Sequence, residues 1–171
     1  KFKGLLIVKQ KNNFDKRGNL RETFNDKIFK KKFKFEYCTT SKGNVLRGFH
    51  FQHKFKQSKY VNVVKGKILD IVIDLRRNSK TFCKIFKIIL SKENALGLFI
   101  PAGFAHAYYS YSKENIIYYK LDNYYAPKYE SGIIYNDPLL KIKWPKNKVN
   151  VSKKDQKLLT IKEFKKKFKT L

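Results

Sequence analysis

A guanidinium at Arg47, a glycine at Gly48 and an imidazole at His50 occur together inside the apolar run "NVLRGFHFQ", residues 44–52. A neutral imidazole can take a proton near neutral pH, and a guanidinium fork can grip a phosphate or carboxylate through two parallel hydrogen bonds. The two-residue period of a strand puts Gly48, His50 and Gln52 on one face and Phe49 and Phe51 on the other. A base on the polar face of such a strand, with a cation close by in sequence, marks the wall of a site. The remaining histidines are His53 and His106. Residues three apart on a strand point to opposite faces, so His50 and His53 cannot converge on one ion, and no metal is assigned.

Such side chains need a frame to hold them. Short runs rich in Val, Ile, Phe and Tyr, broken by turn signals every eight to twelve residues or so, predict an all-β sandwich or barrel. "KYVNVV", "KG" and "KILDIVIDL" read as a hairpin; Leu69, Ile71, Ile73 and Leu75 share one face of its second strand, and Asp70, Val72 and Asp74 the other. "TFCKIFKIIL", "GLFIPAGFAHAYYSY" and "NIIYYKLDNYY" supply further strands, the middle stretch carrying two around a Pro-Ala-Gly turn. With neither repeat nor linker, residues 1–171 are expected to form one domain, with 146–171 a tail packed on it. In that tail Ile161, Phe164 and Phe168 fall on one side of a lysine-rich helix, expected to pack on its own body rather than on a membrane.

Composition bounds the function classes. A chain of 171 residues with 42% hydrophobic and 16% aromatic residues can bury a real core, which excludes a disordered protein. Cys38 and Cys83 match no metal-ligand spacing and are too few for a disulfide framework, so two reduced thiols and a cytoplasmic setting are expected. No run approaches the roughly 18 apolar residues of a membrane span, and the apolar part of "KFKGLLIVKQ" is too short for a signal peptide. The formal charge of +27 invites a nucleic-acid reading. Yet of 40 basic residues the arginines are Arg17, Arg21, Arg47, Arg76 and Arg77 alone, and Lys, Ile, Phe, Tyr and Asn are all encoded by A/T-rich codons. Base drift filling solvated positions with lysine explains the charge equally well. A basic nucleic-acid-binding barrel stays as the competing class; it requires aromatics and lysines on one continuous exposed face.

The blocks "VLRGFHFQ", "QSKYV", "GKILDIVIDLRRNSKTF", "LSKEN", "IPAGFAHAYY", "IIYYKLDNYYAPKYESGIIYNDPLLKIKWP" and "VSKKD" follow one another in order. Together they resemble the dTDP-4-dehydrorhamnose 3,5-epimerase family, from Phe14 to Asp155. The resemblance implies a cupin jelly-roll barrel with short flanking helices, a homodimer exchanging N-terminal strands, a nucleotide-sugar substrate and no cofactor. It makes His50 the base that removes hydrogens acidified by a C4 carbonyl, Asp155 its partner, Lys59 the cation beside the developing C4 oxyanion and Tyr119 the proton donor on the opposite face. It places His106 in the sugar site with Asp70 behind it, and Arg47 on the pyrophosphate. Tyr125 would stack on thymine, Gln52, Glu130 and Lys154 would line the substrate, and Arg17 and Glu22 would reach the neighbouring subunit's nucleotide. Phe35, Glu36 and Tyr37 stand where many members carry a "QDN"-like stretch whose amides read the base. Inversion of one carbon only, or another nucleotide, remains an alternative.

Overall fold

A computed structural model describes residues 1–29, 31–146, 148–169 and 171. Its strands are β1 (Leu6–Lys9), β2 (Asn12–Asp15), β3 (Gly18–Arg21), β4 (Phe35–Lys42), β5 (Val45–Gln52), β6 (Lys59–Lys65), β7 (Lys67–Asp74), β8 (Ile85–Ser91), β9 (Leu96–Ile100), β10 (Phe104–Ser110), β11 (Glu114–Leu121), β12 (Glu130–Gly132) and β13 (Asn150–Val151), followed by the helix α1 (Ile161–Lys167). One sheet runs β1-β9-β6-β11-β4; the second runs β12-β5-β10-β7-β8, with β13 also paired to β5. Strands β2 and β3 form a separate hairpin. Two antiparallel sheets with their inner faces packed together give the jelly roll that the resemblance implies.

The two-residue alternation sorts the side chains. Between the sheets lie Val61, Val63, Leu98, Ile117, Tyr119 and Leu121 from the first, against Ile68, Val72, Phe104 and Tyr108 from the second. The outer face of the second sheet carries Phe49, Phe51, Ile71, Ile73 and Leu75, covered by Ile133, Leu140 and the C-terminal segment. The face-sharing read for residues 69–75 therefore holds. Covered on both sides, β10 is buried along its whole length.

The hairpin read from "KYVNVV-KG-KILDIVIDL" does not form. Strand β6 belongs to the first sheet and β7 to the second, so the chain turns a corner between sheets at Gly66. Gly66 has φ +83°, and a Cβ there would stand 2.5 Å from the Glu114 carbonyl oxygen. The Asn115 side chain accepts the Lys67 N–H at 3.0 Å and fastens the corner. Alternation reports which residues share a face, but not which strand lies alongside.

At the C-terminus, Thr160 and Glu163 form a reciprocal capping box that starts α1. Ile161 and Phe164 are buried and Phe168 packs beside them on the outer core. Burying Phe164 completely contributes about 1.5–3 kcal/mol toward holding this two-turn helix on the body.

Candidate active site

His50 projects from β5 into the space between the sheets, and its Nε2 lies 2.8 Å from Asp155 Oδ1. Asp155 opens a 3-10 turn, Asp155–Lys157, just beyond β13, whose parallel pairing with β5 delivers the carboxylate to the imidazole. The other oxygen, Oδ2, accepts the Gly48 N–H at 3.0 Å, and the Asp155 N–H is fixed by Ser152 Oγ at 3.0 Å. Burial opposes ionisation of this carboxyl, but hydrogen bonds from His50, Gly48 and Ser152 outweigh it and hold Asp155 below the usual carboxylate range. An ionised carboxylate can only accept, so His50 Nε2 carries the hydrogen and Nδ1 is left as the basic nitrogen.

Gly48 is required by the close approach of β10. Its φ is +116°, and a Cβ would stand 2.5 Å from the His106 carbonyl oxygen and 2.6 Å from Ala107 Cβ. The register between β5 and β10 shifts here, bringing His50 opposite His106. A glycine lets the two backbones close up and leaves its N–H free for Asp155.

Beside His50 on the second sheet, His106 Nε2 meets Asp70 Oδ2 at 2.8 Å. Both are buried. Across the gap, the first sheet contributes Lys59 from β6, Tyr119 from β11 and Tyr37 and Thr39 from β4. A cavity of about 530 Å³ is lined by His50, Asp155 and His106 on one side and Lys59, Tyr119 and Tyr37 on the other. Burial lowers the Lys59 ammonium from its ordinary value, against the pull of Glu130 and Asp70. Burial likewise pushes the Tyr119 phenol well above its ordinary value, helped by neighbouring Tyr108, Tyr37 and Asp70. A base on one wall and a neutral phenol on the other can work on opposite faces of a flat, enolate-like ligand.

A second cavity of about 290 Å³ shares Tyr37, His50 and Lys59 with the first and continues past Phe35, Gln57, Tyr125 and Glu130. The Tyr125 hydroxyl donates to Glu130 Oε2 at 3.0 Å, and Lys154 pairs with the same oxygen. Burial resists ionisation of Glu130, but Lys154, His50 and Tyr125 together keep its carboxyl below the usual range. Gln52 lines this cavity, yet its amide is taken by the Phe55 carbonyl at 2.8 Å and the Ala126 N–H at 2.8 Å. It shapes the wall through the loop it holds. Arg47, on the larger cavity, is braced by Ser41 Oγ at 3.1 Å.

Arg17 and Glu22 are not brought to either cavity. Arg17 sits on the turn of the β2–β3 hairpin, paired with Asp15 at 2.6 Å, and Glu22 follows the hairpin on the surface. His53 packs on Tyr129 and Phe168, away from His50. Sequence reasoning passed over Thr39 and the site-facing role of Tyr37; the alternation Phe35, Tyr37, Thr39, Ser41 along β4 was the available signal.

The family model of dTDP-4-dehydrorhamnose 3,5-epimerase matches residues 1–163. The chain belongs to this family. It is 39% identical over 168 residues to the dTDP-4-dehydrorhamnose 3,5-epimerase of Methanothermobacter thermautotrophicus, covering 94% of this chain and 91% of that one. A crystal structure of dTDP-6-deoxy-D-glucose-3,5-epimerase from Legionella pneumophila, in complex with dTDP-4-keto-L-rhamnose, is similar at a TM-score of 0.88 and 36% identity over 91% of this chain and 87% of that one. A 3'-monoepimerase from Streptomyces bikiniensis, in complex with dTDP-quinovose, is similar at 0.90 and 25% identity over 96% and 87%. Family membership makes the chain an isomerase of the cupin jelly-roll type. Among the described residues, no helix is long and apolar enough to cross a membrane.

The dyad can be probed on its own. Asp155→Asn keeps the packing and loses the charge that supports an imidazolium. Its kcat is expected to fall on the order of 10- to 100-fold in steady-state assays, with nucleotide affinity little changed. Because its folded value lies below the ordinary 3.8, Asp155 contributes stability above that pH and loses it as pH falls through the depressed value. Denaturant melts at about pH 5 and about pH 3 should thus show a smaller acid-side loss in Asp155→Asn than in the wild type.

Proposed function

We propose that the chain epimerises a nucleotide-linked 4-keto-6-deoxyhexose, converting dTDP-4-dehydro-6-deoxyglucose to dTDP-4-dehydrorhamnose. The observation that carries the reading is the placement of the His50–Asp155 dyad on one wall of the cavity and Tyr119 on the facing wall. His50 Nδ1 removes the hydrogen from C3 or C5, each acidified by the C4 carbonyl, and Asp155 stabilises the imidazolium that forms. Lys59 and His106 face the C4 oxygen as it gains charge, with Asp70 orienting His106. Tyr119 then delivers a proton to the other face of the enolate. A lone base returns the proton where it came from, so inversion needs this second group.

The nucleotide spans the connected smaller cavity and the edge of the larger one that carries Arg47 and Lys154. Tyr125 presents a ring for the base, Arg47 and Lys154 face the diphosphate, Glu130 holds Tyr125 and Lys154 in place, and Gln52 fixes the wall behind them. Assembly is proposed to be a homodimer. The β2–β3 hairpin, which leaves Phe14 76% and Leu20 68% exposed, is proposed as an exchanged piece and would carry Arg17 and Glu22 to the partner's nucleotide. Free thiols at Cys38 and Cys83 suit a cytoplasmic setting, where nucleotide sugars are made.

Incubation with dTDP-4-dehydro-6-deoxyglucose, followed by reduction of the ketone and sugar analysis, is expected to yield the rhamno configuration; recovery of the gluco and galacto sugars alone would refute the reading. Affinity for dTDP should depend on the built pocket. Between low and about 0.2 M salt, dTDP binding is expected to weaken far less than binding to duplex DNA, whose many phosphate contacts are lost as counterions return. Tight DNA binding at high salt, with no binding of any nucleoside diphosphate, would favour the nucleic-acid barrel instead.

A further inference from the structure

The stretch Phe35, Glu36, Tyr37 is not used by the chemistry above, yet two of its rings run into the site. Tyr37 and Tyr119 are direct cross-strand partners on β4 and β11. Their rings are stacked, with centroids 4.8 Å apart and planes 19° from parallel. The His106 ring meets Tyr119 edge-on at 6.1 Å and 64°. Behind Tyr37 comes Phe35 at 5.9 Å and 30°, and Phe35 is itself stacked on Tyr124 at 5.9 Å and 18°. Tyr119 is 3% exposed, whereas Tyr37 is 38% exposed and forms the outer cover of the pair.

We infer that Tyr37 is a positioning residue for Tyr119: its ring holds the phenol against the wall, and this sets what fraction of enolates is inverted rather than returned to the starting configuration. The inference rests on the epimerase reading and extends it to what decides how many carbons are inverted. An enolate in this site has two fates. Return of a proton from the His50 side restores the starting centre, with exchange into solvent, while delivery from Tyr119 inverts it. The first needs the dyad alone, but the second also needs the phenol in place at that moment. A tyrosine has two soft side-chain torsions, and a stacked neighbour biases them; an aromatic pair of this geometry shifts such an equilibrium about two- to tenfold. Phe35 and Tyr124 extend the stack and keep Tyr37 in turn from swinging outward. Burial pushes the Tyr37 hydroxyl up to about 12, so it stays protonated at neutral pH. That makes the hydroxyl, rather than the ring, the rival explanation to test.

The readout is a ratio. In deuterated water, inverted product is compared with deuterium washed into recovered starting material at the same carbon, C5. Both come from one enolate, so changes in affinity or in folded fraction cancel. Tyr37→Phe keeps the ring and is expected to hold the wild-type ratio within about twofold. Tyr37→Leu and Tyr37→Thr, two variants that an edge strand accepts, are expected to lower it about three- to tenfold. A wild-type ratio in either of these overturns the inference while leaving the epimerase reading intact. A fall in Tyr37→Phe as deep as that in Tyr119→Phe also overturns it, since the hydroxyl would then be acting chemically. Absence of both exchange and inversion in the wild-type enzyme overturns the epimerase reading and this inference with it.

Discussion

In His50→Ala, exchange of the C3 and C5 hydrogens with solvent is expected to fall by about 10²- to 10⁴-fold, the range that a positioned general base supplies. Nucleotide affinity should change little, because Tyr125, Arg47 and Lys154 are untouched. Nδ1 of His50 is the basic nitrogen that the Asp155 contact leaves available on the cavity wall. Its loss removes the step common to both carbons, so exchange and inversion should fail together. Exchange at either carbon within about tenfold of wild type would place the base elsewhere. His50→Asn serves as the companion variant. Its amide can keep a hydrogen bond to Asp155 but has no basic nitrogen, which separates loss of chemistry from loss of the dyad's architecture.

Tyr119→Phe should separate what His50→Ala removes together. The ring and its stack on Tyr37 remain, and one hydroxyl is lost. Exchange of the acidic hydrogens is expected to survive within several-fold of wild type, because the dyad is intact. Inverted product at C5 is expected to fall by about 10²-fold or more, because the phenol assigned to protonate the enolate from the opposite wall is gone. A phenol raised well above its ordinary pKa suits the task, since it yields its proton only to a strongly basic enolate carbon. If exchange and inversion decline in parallel, Tyr119 positions the sugar; if both persist, the donor is another group.

Much of the site was legible along the strands. Period-two alternation puts His50 on one face of β5 and Asp70 on the inner face of β7, and the resemblance supplied their partners. Asp155 is 105 residues from His50 and rides on a 3-10 turn, which has no periodic signature, so no local pattern could find it. The misread corner at Gly66 has the same origin: a one-residue Gly turn between two alternating runs looks identical whether the runs pair or part. Gly48 makes room for the backbone of β10, a long-range contact that residue type alone does not reveal. In sequence, Tyr37 stands with Phe35 and Glu36 where many family members carry a base-reading stretch. Its stack on Tyr119 depends on cross-strand register, which pattern along one strand leaves open.

Removal and return of protons on opposite faces of a 4-keto sugar can be followed by converting dTDP-4-dehydro-6-deoxyglucose in deuterated water and reading C3 and C5 of the product by NMR. An inverted product carrying solvent deuterium at both C3 and C5 is expected. Inverted product that keeps the substrate's own hydrogens at those carbons, or substrate that remains unlabelled and unchanged, would refute proton transfer by this site.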